Sequence, residues 1–485
     1  MEKGLGCVGM EERRAKTDRR DFLKKATVAG AGSFAGAVAI NELSPLVVPE
    51  KMVWEKNQSH WAKYLVPANP SLETDLEADV AIIGGGFTGL STAYYLRKAN
   101  PRRRVVLLEA ERCGNGASGR NGAMMLTMTE DRFMEWSNTP ELDKRLYDLT
   151  TENIRRLREL SASLGIDAEI EQSGALQVCN TKEMAEAGAE MIRKAQAAGL
   201  PFEYWDQEKI SEAIGTKVYP GGLFDPGSGQ VHPGKLVVLL KTAAESVGTE
   251  LFEGTPVMEV EEGESIRLTT SNGRTVKARQ VVLATNAYTS KLGYLRRATT
   301  PFFDYVGMTK PLSDIRLSQI GWRRRIPFND SQMEVFYLGL TRDNRIHIGG
   351  GPVDYEFNNG LESPVGAESR YIRLKEELVR IFPGLSEEEF ETKWCGAIDM
   401  SLDQTPSIGS LSKYGNLFYA IGFSGHGVNL TSVFGRILAE LIDGKEKDWS
   451  WLPYVNRLPL YTPNEPFRWI GVKVALGYYR MMGPR

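Results

Sequence analysis

Histidine and cysteine are both scarce, with four of each in 485 residues. The histidines stand at 60, 232, 347 and 426 and the cysteines at 7, 113, 179 and 395, so neither set has metal-ligand or disulfide-framework spacing. Metal chemistry is excluded on that count. Excess charge of one sign is also missing: 59 Lys and Arg against 62 Asp and Glu leave a net charge of −3 with His neutral. Nucleic acid is therefore excluded as the main partner, because binding it calls for a strongly basic face. There is no internal repeat, no low-complexity tract and no apolar run of transmembrane length. What is present is a chain 42% hydrophobic and 25% charged, with the profile of a soluble globular protein too long for a single core.

Residues 1–25 carry eight basic and five acidic side chains, and Ala26 to Ala39 carry none. The boundary run Asp18-Arg19-Arg20-Asp21-Phe22-Leu23-Lys24 resembles a twin-arginine signal, and Ala37-Val38-Ala39 offers a small-x-small cleavage site. Residues 1–39 are thus expected to be an export address, with the protein carried folded to the periplasm or another extracytoplasmic space. That route favours a cofactor loaded before export, and it suits an exported chain without disulfides.

The most informative unit begins at Asp79. Asp79-Val80-Ala81-Ile82-Ile83 reads as a buried parallel strand and runs into Gly84-Gly85-Gly86-Phe87-Thr88-Gly89. A helical pattern follows (Leu90, Ala93, Tyr94, Leu96), then a second apolar run, Val105 to Leu108, ending in Glu109. Strand, G-x-G-x-x-G, helix, strand and terminal acid occur in the order of a dinucleotide-binding βαβ unit. Gly84 permits the tight turn, Gly86 lets a pyrophosphate approach, and Gly89 allows helix and strand to pack closely. The amides at Phe87 and Thr88 open the helix towards the phosphates, and Glu109 accepts from ribose hydroxyls. After Ala110 and Arg112 comes a second glycine-rich stretch, Gly114 to Gly122, where an NAD domain would go on to another helix. Its backbone amides would approach a second large planar group, which favours FAD. Ala117, Ser118, Gly119, Arg120, Asn121 and Gly122 are the candidate contacts, a plain surface loop being the alternative.

The segment Val105 to Gly122 resembles the FAD-dependent amine and amino-acid oxidases of the D-amino-acid-oxidase-like superfamily. The resemblance is nearest to the branch of γ-glutamylputrescine oxidoreductase, glycine oxidase and sarcosine oxidase. Further stretches agree in order: Gly221 to Pro226, Val231-His232-Pro233, and Val281 to Ala287. After them come Trp394-Cys395-Gly396 with Asp403, Pro406 and Gly409, and finally Gly422 to Gly427. The likeness spans residues 75–450. It implies an α/β fold in which a Rossmann-like FAD domain, built from residues 76–135, 226–298 and 391–450, carries a mainly β substrate domain with helices. The substrate domain would take residues 136–225 and 299–390, with extensions at 40–75 and 451–485.

The resemblance adds Thr285, Asn286, Ala287 and Gly396 to the expected flavin contacts. Leu417 to Ile421 reads as a buried strand, Gly422 to Gly427 as a turn, and Val428 to Ile442 as a helix whose first amides face whatever the turn binds. Gly425, His426, Gly427, Val428 and Asn429 are therefore expected at the flavin, with a buried structural imidazole as the alternative for His426. Sarcosine oxidases attach FAD through a cysteine; registering Asp403 on their pattern puts Gly396 there, so non-covalent FAD is expected. Their carboxylate-binding Lys corresponds to Asn429, which leans the substrate towards a γ-glutamylputrescine-like or other amine.

The resemblance implies oxidation of a C–N bond of a small amine or amino acid, by hydride transfer to flavin N5, giving an imine that hydrolyses. Such chemistry needs little acid–base machinery. Arg120 and Lys310 are the candidate catalytic cations, one to orient an anionic group or line the flavin, the other to place charge near reduced flavin. A hydrolase elbow is excluded, since Gly422-x-Ser424 and Gly116-x-Ser118 each lack the closing glycine. Oxygen, a quinone or a protein is the expected electron acceptor. A flavin dehydrogenase, a non-catalytic flavin-binding protein and an NAD-dependent dehydrogenase are the rivals. From Phe467 to Arg485 there are four basic residues, no acid, and Trp, Tyr and Met between them. This suits an interfacial helix on anionic lipid, or else a terminal helix docked on the core.

Overall fold

Val80, Ala81 and Ile82 are fully buried, and burial on both faces is what makes the run before the first glycines a central strand. The computed structural model describes residues 54–127, 140–332, 334–457 and 459–482, so the signal assigned to residues 1–39 lies outside the described residues. Strand Leu76–Ile83 pairs in parallel with Val105–Leu108 on one side and Thr275–Leu283 on the other. Glu250–Phe252 and Leu417–Ile421 extend the parallel sheet outward, and Ser407–Ser410 returns antiparallel at one edge. The hairpin Val257–Glu261 and Ile266–Thr270 joins through Thr275–Leu283. One sheet is thus assembled from three separated stretches of chain, and its strands point their carboxyl ends at the glycine turns.

The second sheet is almost wholly antiparallel. Its order is Phe390–Ser401, Thr299–Thr309, Ile346–Gly350, Phe336–Leu340, Phe328–Asp330, Ala175–Cys179, Gly221–Asp225 and Glu203–Asp206. Two features differ from the segment boundaries read from the sequence. Phe390–Ser401 belongs here and not to the nucleotide sheet, because it pairs with Thr299–Thr309 along its whole length, from Thr309↔Phe390 to Thr299↔Ser401. The chain returns to the first sheet only at Ser407. Conversely, helix Pro140–Leu164 buries Leu146, Ile154 and Leu157 in the core shared with the first sheet's helices. The reason is its apolar stripe, which continues the face of helix Gly427–Ile442.

Two helices carry their N-termini to the carboxyl edge of the first sheet: Phe87–Ala99 and Gly427–Ile442. They cross at Gly435, where an added Cβ would lie 2.8 Å from the Thr88 carbonyl oxygen and 2.5 Å from Ser91 Cβ. Glycine is required there by the close approach. Next to this crossing Asn429 is fully buried, which corrects its assignment to the flavin. Its Nδ2 donates to the carbonyls of Leu126 and Thr150, each at 3.1 Å, and its Oδ1 accepts from Asn153 Nδ2 at 2.9 Å. A short amide at this depth ties three segments together, and it cannot also reach the cleft. The argument from Asn429 to a substrate lacking a carboxylate loses its footing with it.

The C-terminal helix Phe467–Met482 is not seated by an apolar stripe. Among residues 467–478 only Arg468 is buried, donating to Glu465 Oε1 at 3.0 Å and to the Arg296 carbonyl at 2.9 Å.

Replacing Asn429 with Ala removes three buried hydrogen bonds, to the Leu126 and Thr150 carbonyls and from the Asn153 amide, a loss of about 1–3 kcal/mol. The expected outcome is a lower thermal midpoint, read by circular dichroism, with flavin affinity unchanged in titration. An unchanged midpoint with weakened flavin binding would restore the cofactor role.

Candidate functional site

The two glycine turns meet each other before they meet any ligand. Gly84 has φ of +109°, and the Cβ of any other residue would lie 2.5 Å from the Ala284 carbonyl oxygen. Gly89 has no room for a Cβ against the Gly84 carbonyl, which is the close helix-on-strand packing read from the sequence. Ser118, on the second glycine-rich loop, accepts a hydrogen bond from the Phe87 amide at 2.9 Å. It thereby fixes that loop over the helix N-terminus. Between and beyond these turns lies a cleft of about 1450 Å³, its solvent mouth included. Gly84, Gly86, Phe87, Thr88, Glu109, Ala110, Ala117 and Ser118 form one end. Thr285 stands beside the Gly84 turn, and Arg120, Asn121, Asn286, Gly425, Gly427 and Val428 form the rest of the lining around Asp399.

The first end has the chemistry of an adenosine diphosphate site. The amides that open helix Phe87–Ala99 face it without an acidic residue in the first turn. Glu109 Oε2 accepts from the Gly85 amide at 2.6 Å, and its Oε1 from the Glu111 amide at 3.1 Å. Burial nonetheless pushes its carboxyl up to about 7. A buried carboxyl that favours its neutral form is short of donors, and ribose hydroxyls would supply them. Gly86 leaves the space that a side chain would take, since a Cβ would sit 2.9 Å from Ser118 Oγ. These residues fit FAD.

At the other end Arg120 is held by carbonyls only. Nε donates to Asn115 O at 2.8 Å, Nη2 to Glu55 O at 2.8 Å and Nη1 to Cys395 O at 3.3 Å. No carboxylate neutralises the guanidinium within those contacts, so its charge stays in the wall of the cleft. Gly396 lies beneath it, where a Cβ would be 3.1 Å from Arg120 Cδ. Across the cleft Asp399 accepts from the amides of Gly422 at 2.5 Å and Phe423 at 3.3 Å. In the orientation that hydrogen bonding requires, the Asn286 amide nitrogen donates to the same carboxyl at 2.6 and 3.0 Å. Burial pushes Asp399 up to about 7 as well. This carboxyl joins the second sheet to the Gly422–Gly427 turn and lines the cleft, and sequence reading missed it. A single acid in Ala397-Ile398-Asp399-Met400 carries no pattern that would have found it. Trp54 and Tyr288, which also line the cleft, were missed for the same reason.

Several expected residues lie elsewhere. Arg112 turns outward and donates to the carbonyls of Leu65 and Val66, because the strap before the first strand passes within its reach. Lys310 is exposed beyond the end of strand Thr299–Thr309, away from the cleft. Gly119 and Ala287 sit behind the lining, the Gly119 carbonyl accepting from Ser59 Oγ at 2.6 Å, and Gly122 turns its Cα to the Tyr337 ring, so that only its backbone is left to meet a ligand. Half-buried His426 stands between two cleft-lining glycines, but the imidazole is not part of the wall; its Nδ1 lies 3.1 Å from the Ser424 carbonyl.

A family model described as FAD dependent oxidoreductase, abbreviated DAO, matches residues 79–441. The chain is 30% identical over 383 residues to γ-glutamylputrescine oxidoreductase of Escherichia coli, covering 77% of this chain and 85% of that protein. It is 29% identical over 427 residues to the probable oxidoreductase OrdL of Haemophilus influenzae, covering 85% and 94% respectively. Among solved structures, glycine oxidase from Geobacillus kaustophilus superposes with a TM-score of 0.67 at 23% identity, covering 79% of this chain and all of that one.

The raised Glu109 carboxyl sets a pH dependence. Hydroxyl donors favour the ionised form, so binding below about pH 7 must expel a proton. Affinity for ADP, which carries the ribose and phosphates but no ring to reach Asp399, is expected to rise from pH 5 to 7 and level off above. Glu109→Gln flattens that slope and weakens binding at pH 8 by about tenfold, one lost charged hydrogen bond. Calorimetry reads both; an unchanged slope would remove Glu109 from the ribose.

Proposed function

The chain belongs to the FAD-dependent oxidoreductase (DAO) family, and from that premise we propose that it oxidises the C–N bond of a small amine or amino acid. The observation that carries the proposal is the two-ended cleft. One end is a phosphate and ribose cradle, and the other is walled by the second sheet at Ala397, Ile398 and Asp399. FAD held by Gly84, Gly86, Thr88 and Glu109 at the cradle would supply a two-electron acceptor for the hydride on the carbon next to nitrogen, to be reoxidised by an external acceptor. The oxidised substrate is an imine, which adds water to give a carbonyl compound and a released amine.

The protein's own share is positioning and charge. The N-terminus of helix Gly427–Ile442 presents positive partial charge to the ring end, and its first turn holds no acid to cancel it. Arg120 adds a full positive charge nearby. The titratable residues in the wall are Glu109, Arg120, Tyr288 and Asp399, and burial raises the Tyr288 hydroxyl further from ionisation. Burial brings Glu109 and Asp399 up to about 7, but both carboxyls are engaged by backbone amides, and hydride transfer from a neutral amine asks no proton transfer of them. Among the described residues no cysteine lines the cleft, which supports non-covalent FAD.

Export by the twin-arginine route remains part of this reading, supported by the Arg19-Arg20 run. The C-terminal helix supports contact with a membrane and an acceptor such as a quinone. Phe467, Ile470 and Val474 recur at i, i+3 and i+7 and are all exposed, and the Lys473 ammonium lies 5.6 Å from the Trp469 ring centre. With no acid after Glu465, this face complements an anionic lipid surface and not a zwitterionic one. Among the described residues no helix is long and apolar enough to cross a membrane.

Two measurements test the reading. Purified protein is mixed anaerobically with a panel of amines and amino acids; the flavin band is expected to bleach with at least one, and air then separates oxidase from dehydrogenase. A band that no member of the panel bleaches would refute the substrate class. In vesicle flotation the protein is expected to rise with anionic lipid only, and Val474→Asp to stay below. Equal behaviour with both lipids would refute the membrane contact.

A further inference from the structure

Residues 54–64 precede the region matched by the family model, yet they are bound to the loop that walls the ring end of the cleft. Asn57 Nδ2 donates to the carbonyls of Gly114 at 3.1 Å and Gly119 at 2.9 Å, and its amide donates to Asn115 Oδ1 at 2.8 Å. The Glu55 carbonyl accepts from both Asn115 and Arg120, each at 2.8 Å. Its carboxylate accepts from the Ser363 amide at 2.9 Å, which ties the strap to the second sheet's side.

Beside these contacts three successive carbonyls of the loop each meet one buried ring donor. Trp394 Nε1 donates to Arg120 O at 2.8 Å and Trp61 Nε1 to Asn121 O at 3.0 Å, and His347 Nε2 lies 3.1 Å from Gly122 O. The rings are 3%, 1% and 2% exposed. They pack edge to face, with Trp61 centred 6.1 Å from Trp394 and 5.8 Å from His347. Burial lowers the His347 pKa to about 4, so the imidazole is neutral and its Nε2–H tautomer is the donor. The donors come from the strap (Trp61) and from two strands of the second sheet (His347, Trp394).

A peptide unit is planar and trans, so fixing a carbonyl also fixes the N–H of the next residue on the opposite side. Trp61, Trp394 and His347 do not line the large cleft, whereas Arg120 and Asn121 do. The carbonyls of Arg120 and Asn121 therefore point away from the cleft, and the amides of Asn121 and Gly122 point towards it. Neither amide has a hydrogen-bond partner among the described residues. The Ala123 amide, third in the series, is already taken by Asn121 Oδ1 at 2.9 Å.

We infer that the strap is part of the cofactor site: Trp61, with Trp394 and His347, sets the direction of the Asn121 and Gly122 amides, which serve as donors to a polar atom of the flavin ring. Trp61 acts as a positioning residue through the loop and touches no reacting atom. This rests on the FAD reading above. It assigns to the strap, which lies outside the family match, a role in holding the ring and not the phosphates.

The test uses full-length protein and two probes, FAD and ADP. Trp61→Phe keeps an aromatic ring but deletes the indole N–H, leaving the Asn121 carbonyl unsatisfied and the peptide free to rotate. FAD is expected to bind about tenfold more weakly, with ADP affinity unchanged and a shifted visible spectrum for the flavin that remains. Trp394→Phe is expected to repeat the pattern through the neighbouring peptide. Equal weakening of FAD and ADP would mean that Trp61 is merely structural and would overturn the inference. So would unchanged FAD affinity in both variants. A wild-type chain that bound ADP but no FAD would instead sink the FAD reading itself, so the two failures are distinguishable.

Discussion

The site depends on backbone meeting backbone. At Gly89 a helix lies so close to the turn at Gly84 that no Cβ fits between them, and at Ser118 a second loop caps the first amide of that same helix. Everything that would hold a nucleotide follows from this contact. It aims the helix amides, sets the second loop over them, and leaves Glu109 at the end of the neighbouring strand beside the same space. Side chains contribute less here than the absence of side chains does.

The rest of the cleft arises where two sheets of different kind meet. The parallel sheet offers its carboxyl ends, the usual place for a ligand in open α/β sheets. The antiparallel sheet offers the long strand Phe390–Ser401, which runs past the first sheet's edge and delivers Ala397, Ile398 and Asp399 to the opposite wall. Asp399 then binds the Gly422 and Phe423 amides and the Asn286 side chain. One carboxyl thus joins three stretches of chain that are far apart in sequence.

What was legible in the sequence was local. The run from Asp79 to Glu109 declared strand, turn, helix and strand because each step changes hydrophobic period or inserts glycine, and Leu417 to Ile421 did the same before the second helix. Contacts set by tertiary distance were not legible. Arg112 and Asn429 sit one turn or less from cleft-lining residues, and nothing in their neighbours' identities tells which way they point. Gly396 was assigned to the wrong layer, since pairing with Thr299–Thr309 is a long-range choice that its own composition does not encode. Asp399 and the strap residues Asn57 and Trp61 match no spacing rule, for their partners lie between about twenty and a few hundred positions away.

The crossing at Gly435 gives the two halves of the cleft a common mechanical fate. The helices that touch there open on different ends of the same cavity, so they behave as the blades of scissors with one rivet. A methyl group at the rivet would splay both tips at once, moving the amides at Phe87 and at Gly427 together. A side chain at the joint is therefore expected to disturb affinity at both ends of a bound dinucleotide together.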